Sequence, residues 1–161
     1  MRWIIWFALF ASLPAAADTK PQRIAIVALD APRDDDSARA LSTQITAELR
    51  RLIVGKLGPY RLAAGTADPD RVRDLPICRV KPRCLAIIGI EASADLVVYG
   101  SVTKKDPGYL VQLMLVDVKS KRLVRIENAV LWQDATDVTV FRNWVRSHYA
   151  RLLGARGARS S

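Results

Sequence analysis

Two cysteines offer the most specific chemistry in this chain of 161 residues. Cys78 and Cys84 are its only cysteines, and five residues separate them. In an oxidising compartment such a pair forms a local disulfide. A redox pair would more often show the Cys-x-x-Cys spacing at a helix N-terminus, and two free thiols are the third alternative. A zinc site needs more ligands than two cysteines and one distant histidine provide. We therefore predict a structural disulfide.

The single histidine, His148, is the other candidate for catalysis. As a general base it would need a nucleophile and an orienting partner. Its neighbour Ser147 faces elsewhere if both are helical, and the chain has no Gly-x-Ser-x-Gly elbow. The three aspartates at 34–36 lack the alternating ligands and the glycine of a calcium loop. No phosphate-binding glycine motif is present. The sequence therefore predicts no enzyme, and no catalytic, cofactor-binding or metal-binding residues.

The chain is strongly basic, with 25 Lys and Arg against 16 Asp and Glu and a formal charge of +9. Such a charge attracts nucleic acid, anionic lipid, acidic glycans or acidic proteins. Nucleic-acid binding is not expected, because it usually interleaves aromatic and basic residues on one surface. Basic residues are densest around the cysteines and recur along the last predicted helix. The candidate partner-binding residues are Arg79, Lys81, Arg83, Arg142 and Arg146.

The first residues have the pattern of a cleavable export signal. Arg2 precedes the apolar run Trp3–Leu13, and Ala15–Ala17 supply the small residues that signal peptidase requires. The run is too short to span a hydrocarbon core of about 30 Å. We predict that residues 1–17 are a signal peptide cleaved before Asp18. This places the mature protein in the periplasm, or outside the cell, with no transmembrane segment.

The remaining chain predicts one α/β domain at 23–154, with a linker at 18–22 and a flexible basic tail at 155–161. Asp36 or Ser37 is expected to cap its first helix. Short apolar runs predict strands at 23–29, 60–64, 95–104, 109–118 and 122–133. Apolar residues at helical spacing predict helices at 37–57, 83–93 and 138–153.

The resulting order, β-α-β-α-β-β-β-α, predicts a mixed β-sheet with helices packed on it. Gly100 lies inside a predicted strand, which indicates the close approach of a helix or a β-bulge.

This order and several segments resemble the TolB amino-terminal-domain superfamily, which includes similar domains of CsgG-type and LpoB-type proteins. The segments that carry the resemblance are IAIVALD, CRVKPRCLAIIGIEA and ADLVVYGSVTKKDPGYLVQLMLVDVKSKRLVR. Three features depart from the family. Lys119–Lys121 replace the usual Thr-Gly turn, no β-propeller follows, and no lipid-anchor cysteine is present.

The resemblance implies an α/β fold, an envelope setting and protein–protein contact, and it transfers no catalytic residue. The expected function is a non-enzymatic periplasmic interaction module of the bacterial cell envelope, with an envelope protein as partner and no cofactor. It would present a sheet edge, the basic loop at 78–83 or the last helix. The alternative is a periplasmic binding module for an anionic glycan or lipid head group. An enzyme is the third class.

Overall fold

The computed structural model describes residues 20–55, 59–63, 81–132 and 138–154. Its strands are β1 (Gln22–Ile26), β2 (Tyr60–Leu62), β3 (Leu96–Lys105), β4 (Gly108–Asp117) and β5 (Arg122–Trp132). Its helices are α1 (Asp36–Val54), α2 (Pro82–Glu91) and α3 (Val138–Leu153). The predicted signal peptide and the basic tail lie outside the described residues and stay predictions.

The strands form one sheet in the order β2-β1-β3-β4-β5. β1 runs parallel to β2 and β3, and β3, β4 and β5 form an antiparallel meander. This confirms the predicted mixed sheet. Helices separate the parallel strands because a parallel connection needs a crossover. No helix in the described part of the chain is long and apolar enough to cross a membrane.

Helices cover both faces of the sheet. α1 and α3 pack on one face, where buried residues include Ile24, Ile45, Leu49, Leu113 and Leu152. α2 packs on the other face, where they include Leu85, Ala86, Val97, Met114 and Val116. The central strands are therefore apolar on both sides, as strands between two helical layers must be.

The starts of the helices follow from local chemistry. Asp35 caps α1, since its side chain accepts a hydrogen bond from the Ala38 amide at 2.9 Å. The predicted caps, Asp36 and Ser37, were wrong by one or two positions, because the aspartate outside the helix has the extended backbone that a cap requires. Pro82 begins α2. Proline is suited to this position because the first amide groups of a helix have no hydrogen-bond partner within the helix.

Position 100 requires glycine because β4 approaches it closely. The prediction that a packed helix or a β-bulge explains Gly100 was wrong. A Cβ atom on Gly100 would lie 2.1 Å from the Gln112 carbonyl oxygen of β4. The same Cβ atom would lie 3.1 Å from Cδ2 of Leu113. The two strands approach too closely here for any side chain.

Candidate interaction surface

One face of β5 is apolar and open to solvent. Among the described residues β5 pairs only with β4, so it is an edge strand of the sheet. Ile126, Val130 and Trp132 are 43%, 42% and 60% exposed. They lie on the same side of the sheet as α2, because their β4 partners include the buried Met114. α2 covers Met114 but leaves these three side chains uncovered.

We call this surface the outer face. It consists of Ile126, Asn128, Val130 and Trp132 of β5 with Leu110 and Gln112 of β4. The Gln112 side-chain amide donates a 3.0 Å hydrogen bond to Asn128 Oδ1, which joins the two strands at its centre. A half-exposed tryptophan beside exposed aliphatic side chains is the composition of a contact surface for another molecule.

The opposite face of β5 carries charge and packs under α3. His148 Nδ1 lies 2.8 Å from Glu127 Oε1, and since a carboxylate accepts, the imidazole nitrogen donates. Arg151 Nε lies 3.4 Å from the same carboxylate oxygen. The Trp144 ring packs on the imidazole with 4.4 Å between ring centroids. The charged side of the strand is therefore the inner side.

α3 holds β5 at two further points. Arg125 Nη1 donates to the Arg151 carbonyl at the end of α3. Trp144 Nε1 donates to the Val130 carbonyl at 3.3 Å. These contacts attach β5 to α3 on the inner side of the sheet. The outer face is therefore ordered in the absence of a partner.

In the part of the chain that the structure describes, no nucleophile is placed beside His148. Ser147 Oγ donates to the Trp144 carbonyl at 2.9 Å, away from the imidazole. Asp95 accepts from the Arg23 amide, and Asp117 accepts from the Ser120 amide. Within the described residues, no three His, Cys, Asp or Glu side chains are placed to hold a metal ion.

A second ionic cluster joins α1 to α3. The Glu48 side chain is only 7% exposed, and Arg51 Nε donates to its Oε2 at 2.8 Å. Arg142 Nε lies 3.8 Å from the same oxygen. The hydrogen bonds from Arg51 lower the pKa of Glu48, burial opposes them, and the charges of Arg142 and Arg146 lower it further. The sequence pattern had placed Glu48 away from the apolar stripe of α1.

The predicted partner-binding residues do not form one surface. Lys81 and Arg83 are exposed at the start of α2, on one face of the sheet. Arg142 and Arg146 lie on α3, on the other face, where both act on buried Glu48. Arg79 lies outside the described residues. Their binding role stays a prediction.

The predicted disulfide also stays a prediction, because Cys78 lies outside the described residues. Cys84 is half-buried in the first turn of α2. We propose the Cys78–Cys84 bond. Alkylation of the exported protein before and after reduction would count its free thiols.

Two surface pockets elsewhere are each lined by both acidic and basic side chains. One of 340 Å³, between the loop after β1 and β3, is lined by Asp30, Arg33 and Ser101 among others. Another, of 460 Å³, is lined by residues that include Arg23, Asp95, Asp117 and Lys119. Neither lining is uniformly positive, as a site for an anionic head group would be.

Glu48 gives a pH-dependent prediction. Its pKa is below the usual 4.5 in the folded protein. Its stabilising contribution is therefore complete above the unfolded pKa and is lost as pH falls through the folded pKa. We expect Glu48→Gln to unfold at a lower temperature than wild type at pH 7. The difference should shrink between about pH 5 and pH 3.

Thermal unfolding followed by circular dichroism measures this difference. The control is Asp36→Asn, in the first turn of α1, whose side chain is 87% exposed and pairs with exposed Arg39. Exposed pairs contribute at most about 1 kcal/mol. A Glu48→Gln curve that stays parallel to wild type across this range contradicts the assignment.

No family model and no curated protein sequence matches this chain. Solved structures do. The lipoprotein GNA1162 from Neisseria meningitidis is 14% identical, and the match covers 85% of this chain and 100% of that chain with a TM-score of 0.51. TolB from Acinetobacter baumannii is 17% identical, with 83% of this chain and 28% of that chain covered and a TM-score of 0.50. The chain has the TolB amino-terminal-like fold.

This TolB-like fold confirms the predicted resemblance. The LpoB C-terminal domain from Escherichia coli also aligns, at 15% identity over 75% of this chain and 90% of that chain, with a TM-score of 0.48. The chain spans just over a quarter of the TolB chain that it matches. At these identities the likeness establishes the fold, and function has to be argued from the surface.

Proposed function

We propose that this protein is a non-enzymatic, periplasmic protein–protein interaction module of the bacterial cell envelope. The observation that carries the proposal is the outer face of β5, an apolar surface fixed by α3 and left open. Its burial by a partner would be favourable, at about 25 cal/mol per Å² of apolar area. The export signal predicted at 1–17 supports the periplasmic setting.

The charge distribution supports a protein partner over an anionic glycan or lipid head group. The outer face presents aliphatic side chains and one tryptophan, and its centre is an uncharged amide pair. Two basic side chains of α3, Arg142 and Arg151, contact Glu48 and Glu127. Protein interfaces have such an apolar centre, whereas polyanion sites depend on clustered unpaired cations.

The test is photo-cross-linking in living cells. The full chain, with its own leader, carries benzoylphenylalanine in place of Trp132 on the outer face or in place of Gln44, exposed on α1. We expect a discrete cross-linked envelope protein from position 132 and none from position 44. The yield of the cross-linked product should be the same when cross-linking is carried out in high salt. The mass of the exported protein should show cleavage before Asp18.

Equal cross-linking from both positions would contradict the proposal. Cross-links to lipid or glycan alone, lost as salt rises, would favour the anion-binding module, since salt screens exposed charges.

A further inference from the structure

We propose that a pocket between the loop after β1 and strand β3 binds a small zwitterion, a molecule of amino-acid size with one ammonium and one carboxylate group. The pocket, which we call the β1–β3 pocket, has a volume of 340 Å³ and is lined by residues 30–33 and 101–103. This site goes beyond the proposed function, which depends on the outer face. The inference is based on the place of the pocket in the fold, its shape and its charges.

The β1–β3 pocket lies where the path of the chain across the sheet reverses. From β1 the chain passes through α1 to β2 on one side, and from β2 it returns through α2 to β3 on the other side. The two helices cover opposite faces of the sheet. In open α/β sheets of this order, a crevice forms beyond the carboxyl ends of the first and third strands, and ligands bind there. The pocket occupies this position.

The local pairing of the chain explains why the pocket is open. The Asp30 amide donates to the Gly100 carbonyl at 2.8 Å, and the Val102 amide donates to the Asp30 carbonyl at 2.8 Å. The next donor in this parallel ladder would be Pro32, which has no amide hydrogen, so the pairing stops. β3 continues to Lys105. In the described part of the chain, this side of β3 therefore has no neighbouring strand beyond Val102.

Polar side chains meet in the β1–β3 pocket from both of its walls. Asp30 is paired with Ser101, so the two side chains lie on the same side of the sheet. Thr103 lies two residues further along β3 and therefore on that side as well. Asp30 and Ser101 are half-buried, whereas Arg33 and Thr103 are exposed. The pocket thus presents a carboxylate, a guanidinium and two hydroxyl groups to one small molecule.

The two charges decide the class of ligand. Asp30 repels a simple anion, and Arg33 repels a simple cation. Within the described residues no ion pair joins Asp30 to Arg33, so each can meet the opposite charge on a ligand. A carboxylate has about four acceptor positions, and Asp30 can accept from an ammonium group in addition to its contacts within the protein. A zwitterion satisfies both side chains at once.

The volume of the pocket limits the size of the ligand. Pockets for small molecules range from about 300 to 1,000 Å³. At 340 Å³ the β1–β3 pocket is near the lower end of that range, which suits a molecule the size of an amino acid.

The experiment titrates three compounds into the purified exported protein and follows its backbone amide signals by NMR. The compounds are L-alanine, N-acetyl-L-alanine, which lacks the ammonium group, and L-alaninamide, which lacks the carboxylate. We expect L-alanine to shift the amide signals of residues 30, 31, 33 and 101–103. Each blocked form should bind at least about tenfold more weakly, because it loses a hydrogen bond between charged groups.

Two variants that remove the same charge locate the site. Arg33→Gln removes a guanidinium from the β1–β3 pocket, and Arg122→Gln removes one at the other end of the sheet, in the row of Leu96. We expect Arg33→Gln to bind L-alanine at least about tenfold more weakly and L-alaninamide nearly as wild type does, since L-alaninamide has no carboxylate. Arg122→Gln should bind all three compounds as wild type does. Circular dichroism confirms that both variants are folded.

Several results would overturn the proposal. Equal binding of the three compounds removes the preference for a zwitterion, and equal losses in Arg33→Gln and Arg122→Gln reduce it to a general effect of charge. Shifts confined to residues 94–95 and 117–119 would place the ligand in the 460 Å³ pocket. The absence of any shift with L-alanine would contradict the site.

The site and the proposed function fail separately. A protein cross-linked from Trp132 without L-alanine binding would contradict the zwitterion site and leave the interaction module standing. L-alanine binding in the β1–β3 pocket without a cross-linked envelope protein would support the site and contradict the proposed function.

Discussion

The Gly100→Ala variant is expected to lose about 3 kcal/mol of its free energy of unfolding, or to fail to fold. The added Cβ atom would lie 2.1 Å from the Gln112 carbonyl oxygen, which belongs to the backbone of β4 and cannot rotate away. The Gly100 carbonyl also accepts the Asp30 amide at 2.8 Å, so β3 is fixed from the other side. Moving β3 away from β4 would press it against this segment.

Urea denaturation followed by circular dichroism measures the loss, and Gly55→Ala is the control. Gly55 ends α1 with a φ of −70°, which alanine adopts without strain. Its nearest contact for an added Cβ is 3.2 Å, so we expect a change of less than about 1 kcal/mol. Equal stabilities of the two variants would contradict the close approach of β3 and β4.

Glu127→Ala is expected to lower the free energy of unfolding by about 2 kcal/mol. The Glu127 and His148 side chains are 17% and 11% exposed, and Arg151 contacts both. Removing the carboxylate leaves the imidazole Nδ1 donor without its acceptor, while the Arg151 guanidinium loses one contact and keeps the Ser147 carbonyl. Removing His148 as well should restore part of the loss, because the unpaired imidazole is then gone.

A double-mutant cycle of Glu127→Ala and His148→Leu measures this coupling, which we expect at about 1 kcal/mol. The exposed pair Asp36 and Arg39 is the reference, and its coupling should be below about 0.5 kcal/mol. Additive effects of Glu127→Ala and His148→Leu would mean that the inner face of β5 is held by packing alone.

Much of the fold could be predicted from the sequence because its elements are locally consistent. α3 has the predicted bounds, and β3 and β4 differ from theirs by one residue, since the pattern and the turns both mark those ends. β1 ends at Ile26, before the predicted Leu29. The regular pairing ends there, although the Val27 amide still donates to the Val98 carbonyl and Asp30 bridges Ser101 of β3.

The site was harder to predict because it depends on which side of β5 faces a helix. The sequence separates Val130 and Trp132 from Arg125 and Glu127, but an apolar side is ordinarily the buried one. Here the charged side is inside, since α3 brings His148 and Arg151 to Glu127 from a distant part of the chain. Glu48 was missed for a similar reason. Its spacing of three residues from Arg51 was the available signal.

The outer face of β5 also bears on how the isolated protein behaves in solution. Without a partner, the apolar outer face of one molecule can meet that of another. The formal charge is +9 for the whole sequence and falls to +8 when Arg2 is removed with the signal, and it keeps molecules apart at low ionic strength. At 0.1 M, added salt reduces the range of that repulsion to about 10 Å, and it leaves the apolar attraction unchanged. We therefore expect the isolated protein to aggregate more readily as the salt concentration rises. Turbidity should appear first at high salt and high protein concentration.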